Sequence, residues 1–189
     1  MERLGSLDSL NIREKKHYSH MPEHWKLQPF CCFSDISEEE IYYMTSEDPG
    51  VSNLEVFRKS RAFSLYLLNK KGEQIFSFEK HTGLFSDKLE VFDASEDLLG
   101  YVEKQKTHFK ILDAGGHVVD VIEASPEDPE TFYIRKGTAV VGKLSRRPCR
   151  LAEEDIPKRD HFGIVFPFDA DTPEKGVLIG ALFLIDLMF

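Results

Sequence analysis

The residues able to do chemistry fall in three places. His17, His20 and His24 stand at i, i+3 and i+7, which on a helix would put three imidazoles on one face, a weak metal set. No carboxylate or cysteine completes a tetrahedral group around them. Cys31 and Cys32 are adjacent, flanked by Phe30 and Phe33, and Cys149 lies far off. Adjacent cysteines rarely pair, and a count of three is odd, so reduced thiols and a cytosolic setting are expected. A Phe-Cys-Cys-Phe run also reads as a buried strand, because cysteine is among the most buried residue types. The third place is Lys143, Arg146, Arg147 and Arg150, in GKLSRRPCR. Two readings stand for it. It is a solvated edge strand whose basic side chains discourage sheet addition, or a patch for anionic headgroups, at about 1 kcal/mol per basic residue near a membrane. No nucleophile elbow, P-loop, dinucleotide turn or HExxH is present, so bond-making catalysis is not expected.

Charge narrows the partners. The chain of 189 residues carries a formal net charge of −9. Such a chain gains little from the phosphate attraction that drives nucleic-acid binding. Its mean field also opposes an anionic membrane unless a local basic patch overrides it. The first twenty residues lack a signal-peptide core, and Glu2 stands where N-myristoylation needs glycine.

The elements that must position these residues are mostly strands. Residues 1–26 are polar and read as a flexible arm. Apolar runs broken by turns then begin. Phe63–Phe78, Leu89–Val102, Phe109–Ile122 and Phe132–Leu144 each read as strand, tight turn, strand. Period-two alternation, as in Leu89 and Val91 or Phe109 and Ile111, marks half-buried antiparallel strands. Glycines supply the positive φ of their turns. Pro29–Phe33 and Ile41–Thr45 read as an earlier pair. Successive hairpins form a meander whose apolar face must close or pack.

The C-terminus differs. Thr172 suits an N-cap, Pro173 the first helical position, and Glu174 the first turn. GVLIGALFLIDLMF follows, apolar on every face except at Asp186. A helix of that kind is buried in protein or in lipid. Its fourteen residues span roughly 21 Å, short of the ~30 Å of a bilayer core. Length and Asp186 both favour a helix buried in protein.

Phe162–Phe189, FGIVFPFDADTPEKGVLIGALFLIDLMF, resembles the C-terminus of the phospholipid scramblases. That family ends in FGIxFPxD, a short charged turn and a helix containing IGAxFLIDxMF. Upstream, residues 60–65 (SRAFSL), 100–102 (GYV) and 140–143 (VVGK) are similar to family segments. The resemblance implies a mainly β fold of the tubby type. That is a closed antiparallel barrel of about twelve strands over residues 27–189, around a hydrophobic helix at about 173–189. It implies Ca²⁺-dependent, ATP-independent movement of phospholipids between leaflets, at the cytoplasmic face of a plasma or internal membrane. The alternative is a non-transporting barrel, in the cytosol or at a membrane, that binds lipid headgroups or a protein partner. The helix residues Ile179, Gly180, Leu182, Phe183, Leu184, Ile185 and Asp186 and the basic patch would be the working parts.

Three departures bear on that implication. The family's acidic loop aligns with residues 158–169, where Asp160 and Asp169 match but Lys158 replaces the first aspartate. Two carboxylates beside a cation make a poor site for Ca²⁺, which takes six to eight oxygens. The segments matching the family's palmitoylated clusters hold no cysteine, which leaves Cys31 and Cys32 as the candidates for palmitoylation. The arm has no PxxP motif, so SH3 or WW partners are not implied.

Overall fold

The computed structural model describes residues 2–14, 25, 27–47, 62–81, 88–146 and 161–186. Alternating side chains build its strands. In β1 (Ser9–Glu14) Leu10 and Ile12 point inward, and in β2 (Cys31–Ser34) Cys31 and Phe33 join the core. β3 (Glu40–Ser46), β4 (Phe63–Asn69), β5 (Gln74–Lys80) and β6 (Lys88–Asp93) follow. Then come β7 (Leu98–Lys104), β8 (His108–Asp113), β9 (Val118–Ala124), β10 (Thr131–Lys136), β11 (Ala139–Ser145) and β12 (His161–Val165). Each strand pairs antiparallel with its sequence neighbours, and β1 pairs with β12, so twelve strands close into one barrel. Closure sets Leu10 opposite Ile164 and Ile12 opposite Phe162, so their inward side chains continue one apolar wall.

Two expectations are corrected here. Residues 2–14, read as part of a polar arm, form a short helix, α1 (Glu2–Gly5), and β1. Only one face of β1 is buried, so two apolar residues suffice, too few to stand out from a polar stretch. The basic segment does not lie on an edge strand, because β11 is paired on both sides, with β10 and β12.

Four hairpin turns share one device. The Oδ1 of Asp35, Asn69, Asp93 and Asp113 accepts the backbone N–H four residues on, from Glu39, Glu73, Asp97 and His117. The residue just before that donor takes a positive φ: Glu38 (65°), Gly72 (77°), Glu96 (65°) and Gly116 (81°). The Asx hydrogen bonds hold two glutamates in a backbone region that usually needs glycine.

The lumen is filled by α2 (Thr172–Asp186). Its N-cap is Asp171, not Thr172. The Asp171 carboxylate accepts the Glu174 N–H at 2.8 Å, and its carbonyl accepts the Lys175 N–H. From Val177 to Ile185 every side chain that the helix carries is buried. Phe183 packs between Phe33 and Phe78, with ring centroids 6.2 and 6.4 Å away. Gly180 brings the helix against β5 and β6: a Cβ there would lie 2.7 Å from Leu89 and 3.1 Å from Phe78 and Val91. Burying each Leu- or Phe-sized side chain contributes about 1.5–3 kcal/mol, and α2 supplies more of the buried apolar cluster than any single strand does. Among the described residues, no helix is long and apolar enough to cross a membrane.

Candidate functional site

Consecutive antiparallel strands put their connections at alternate ends of the barrel. The turns after β2, β4, β6, β8 and β10 lie at one end, with the start of α2. The ends of β1, β3, β5, β7, β9 and β11 lie at the other, with the end of α2, and most of the chain segments that leave them are longer in sequence. The first is called the hairpin end and the second the long-connection end.

At the hairpin end Lys175 is only 4% exposed, yet it is the base of a tie. Its Nζ donates to the carbonyls of Gly5 (2.8 Å), Leu7 (2.9 Å) and Leu4 (3.4 Å). It thereby satisfies the orphan carbonyls of α1 and pins α1 over the start of α2. Burial pulls the Lys175 ammonium below the ordinary lysine range, against the pull of Asp8, Glu174 and Asp171. The same turn of α2 carries Glu174, which belongs to a second group with Asp120, Lys136 and Asp169. Lys136 Nζ lies 3.0 Å from Asp169 and 3.1 Å from Glu174. The hydrogen bond from Lys136 holds Asp169 below the usual carboxylate range. Burial lowers Lys136, but its bonds to Asp169 and Glu174 outweigh burial and leave it raised. Asp120 is buried, and burial, then the charge of Glu174, push it up to about 7.

This cluster was not read from the sequence, because its members come from β9, β10, the β12–α2 loop and α2. One signal was available. Asp120 falls in phase with Ile122 on the inward face of a strand, where a carboxylate has no ordinary place.

The cluster also decides what becomes of the implied calcium pair. Asp169 is committed to Lys136, whose ammonium already stands at the carboxylate, and Asp160 lies outside the described residues, as does Lys158. Among the described residues, no group of three or more His, Cys, Asp or Glu is arranged to hold a metal. His17, His20 and His24 lie outside those residues. The donors that are described therefore do not fit Ca²⁺.

At the long-connection end, Lys143 is exposed on the outer wall and Arg146 lies at the rim, while Arg147 and Arg150 lie outside the described residues. Arg146 lines a crevice of about 10 Å³ with Phe132, Leu144, Phe162, Leu182 and Ile185, room for one water molecule and not for an acyl chain. A larger open groove, about 400 Å³, lies on a different side of the barrel, on the β3–β5 face. Glu47, Phe63, Ser64, Tyr66, Lys80 and His81 line it. Burial and the neighbouring Glu47 raise the Tyr66 phenol, which hydrogen-bonds to Glu47.

The remaining sequence candidates, Asp186 apart, are buried. Ile179, Gly180, Leu182, Phe183, Leu184 and Ile185 lie in the barrel core, and Asp186 ends the helix. Cys31 faces that core, and Cys32, 2% exposed, lies opposite Tyr43 of β3. Neither thiol is presented to an acylating enzyme in this conformation.

Comparisons with known proteins agree with this architecture. The family model described as Scramblase matches residues 5–189. Phospholipid scramblase 1 of Mus musculus is 47% identical, over 78% of this chain and 50% of its own length. Phospholipid scramblase 1 of Homo sapiens is 28% identical, over 78% of this chain and 52% of its own. The chain spans about half the length of these curated relatives. An X-ray structure of a protein from Arabidopsis thaliana shares the fold, with a TM-score of 0.57 and 13% identity over 98% of this chain and 96% of that one.

Proposed function

Because the chain belongs to the scramblase family, we propose that it acts on phospholipids at a membrane surface. The reading places its lipid contacts on the long-connection end and outer wall, with α2 serving as the barrel's core. The observation that carries it is the burial of Leu182, Phe183 and Ile185 at 3, 1 and 4% exposure. Side chains buried this way cannot also face acyl chains, so lipid must be met elsewhere on the molecule.

The groove lined by Glu47, Tyr66, Lys80 and His81 offers what a zwitterionic headgroup needs. Lys80 and His81 supply donors to a phosphate, and Glu47 with the Tyr66 ring suits an ammonium. Lys143 and Arg146 add attraction to an anionic leaflet at about 1 kcal/mol each. In its finer form the activity is movement of phospholipid between leaflets without ATP, at the cytoplasmic face. Calcium has no part in the reading, since Asp169 is held by Lys136. A second reading, headgroup binding without transport, is favoured by the same burial of α2.

Vesicles with a fluorescent headgroup label in both leaflets, treated with a membrane-impermeant reductant, separate the two. Added protein is expected to make inner-leaflet label accessible without calcium. Flotation with the vesicles but no such acceleration would leave only the binding reading. Neither flotation nor acceleration would overturn both.

A further inference from the structure

Asp120 is 1% exposed, and neither of its carboxylate oxygens receives a hydrogen bond from a protein donor. Beside it Glu174 presents another carboxyl, whose charge acts on Asp120 next after burial itself. Two carboxylates have no hydrogen to share, so such a pair is held together only while one of them is protonated. Lys136 does not remove the need for that proton. Its ammonium is already divided between Asp169 and Glu174.

We propose that Asp120 and Glu174 form a buried proton-binding site at the hairpin end, and that loss of its single proton loosens the first turn of α2 from the barrel wall. The inference does not rest on the phospholipid reading. Among the described residues, the charged groups that act on Asp120 most are Glu174 from α2, Lys136 from β10 and Asp169 from the β12–α2 loop. On β8 the register partner is Ile111, which is apolar. Glu174 belongs to the first turn of α2, so charge repulsion there acts directly on how that turn docks.

The sign follows from the direction of the shift. Asp120 is raised from 3.8 to about 7 in the folded chain. Its contribution to stability is therefore fully present below about pH 4 and is lost as pH rises through about 7. Asp35, Glu39, Asp113 and Asp169 are lowered instead, so they act in the opposite sense and on the acid side of this window.

The test is amide hydrogen exchange across α2, corrected for intrinsic rate, from about pH 5 to about pH 8. The wild-type chain is expected to lose protection in the first two turns of α2 by about tenfold or more, one decade per pH unit at the steepest. Asp120→Asn should make that protection independent of pH. Glu174→Gln should move the midpoint down, because the amide can donate to an ionised Asp120. Lys136→Met should move it up, because it removes the nearby cation. Opposite shifts from the last two support the proposal even if Asp120→Asn does not fold. Protection in the wild-type chain that ignores pH, or midpoints moving the same way in both variants, would overturn it.

Discussion

The two ends of the barrel solve different problems. The hairpin end is stitched shut. Its turns are short and Asx-stabilised, Arg3 pairs with Asp35 and Glu39, Lys70 pairs with Glu39, and Lys175 ties α1 to α2. The long-connection end joins the strands whose linking segments are mostly longer in sequence, and it holds the end of α2 and the rim residue Arg146. Charge differs as well. The hairpin turns present Asp35, Glu38, Glu39, Asp93, Glu96, Asp97 and Asp113 against Lys70 and Lys71, whereas the other end mixes Lys80, Lys104, Lys106 and Arg146 with Glu47, Glu127, Asp128 and Glu130. An anionic leaflet repels the first and tolerates the second. Stability and membrane contact are thereby assigned to opposite ends, and substitutions at each end should show it.

The largest effect is expected where α2 approaches the long-connection end. Leu182→Asp buries a charge among Phe132, Leu144 and Phe162, and should cost more than about 4 kcal/mol, enough to abolish cooperative unfolding measured by circular dichroism. At the hairpin end, Lys175→Met removes the donor shared by three carbonyls and should cost about 1–3 kcal/mol in denaturant unfolding. Gly180→Ala, midway along the helix, should cost a similar 1–3 kcal/mol, because the new Cβ meets Leu89 and Val91 and the strands must move outward. If Gly180→Ala is neutral, the close packing of α2 on β6 is wrong. Lys143→Glu, at an exposed position, should leave unfolding nearly unchanged but weaken sedimentation with anionic vesicles by roughly tenfold or more. A matching loss on Glu96→Lys would erase the distinction between the ends. The smallest effect belongs to Arg3→Ala, whose ion pairs with Asp35 and Glu39 are exposed and screened; its melting temperature should stay close to that of the wild-type chain.

The sequence made the barrel legible from Phe63 onward because strands such as β4, β6 and β10 alternate cleanly between buried and more exposed positions. It made the core helix legible because fourteen nearly uniform apolar residues are too few for a bilayer. β1 was missed because Leu10 and Ile12 are its only inward anchors. Turn geometry was half legible. Gly72 and Gly116 announced themselves, but Glu38 and Glu96 hold the same backbone through an Asx bond that glycine counting does not detect. The hairpin-end cluster was hidden by distance along the chain, and only the inward phase of Asp120 betrayed it. Cys31 and Cys32 carried two meanings in the sequence, and in the folded chain both are buried in β2.

The account turns on α2 remaining inside the barrel when the protein meets a membrane. Ala181→Cys, in a chain whose native cysteines are replaced, puts one small thiol at a position that is 0% exposed. On vesicle-bound protein it should resist both a water-soluble maleimide and one that partitions into the bilayer, until denaturant is added. Rapid labelling by the bilayer-soluble reagent alone would show α2 in lipid and contradict the account.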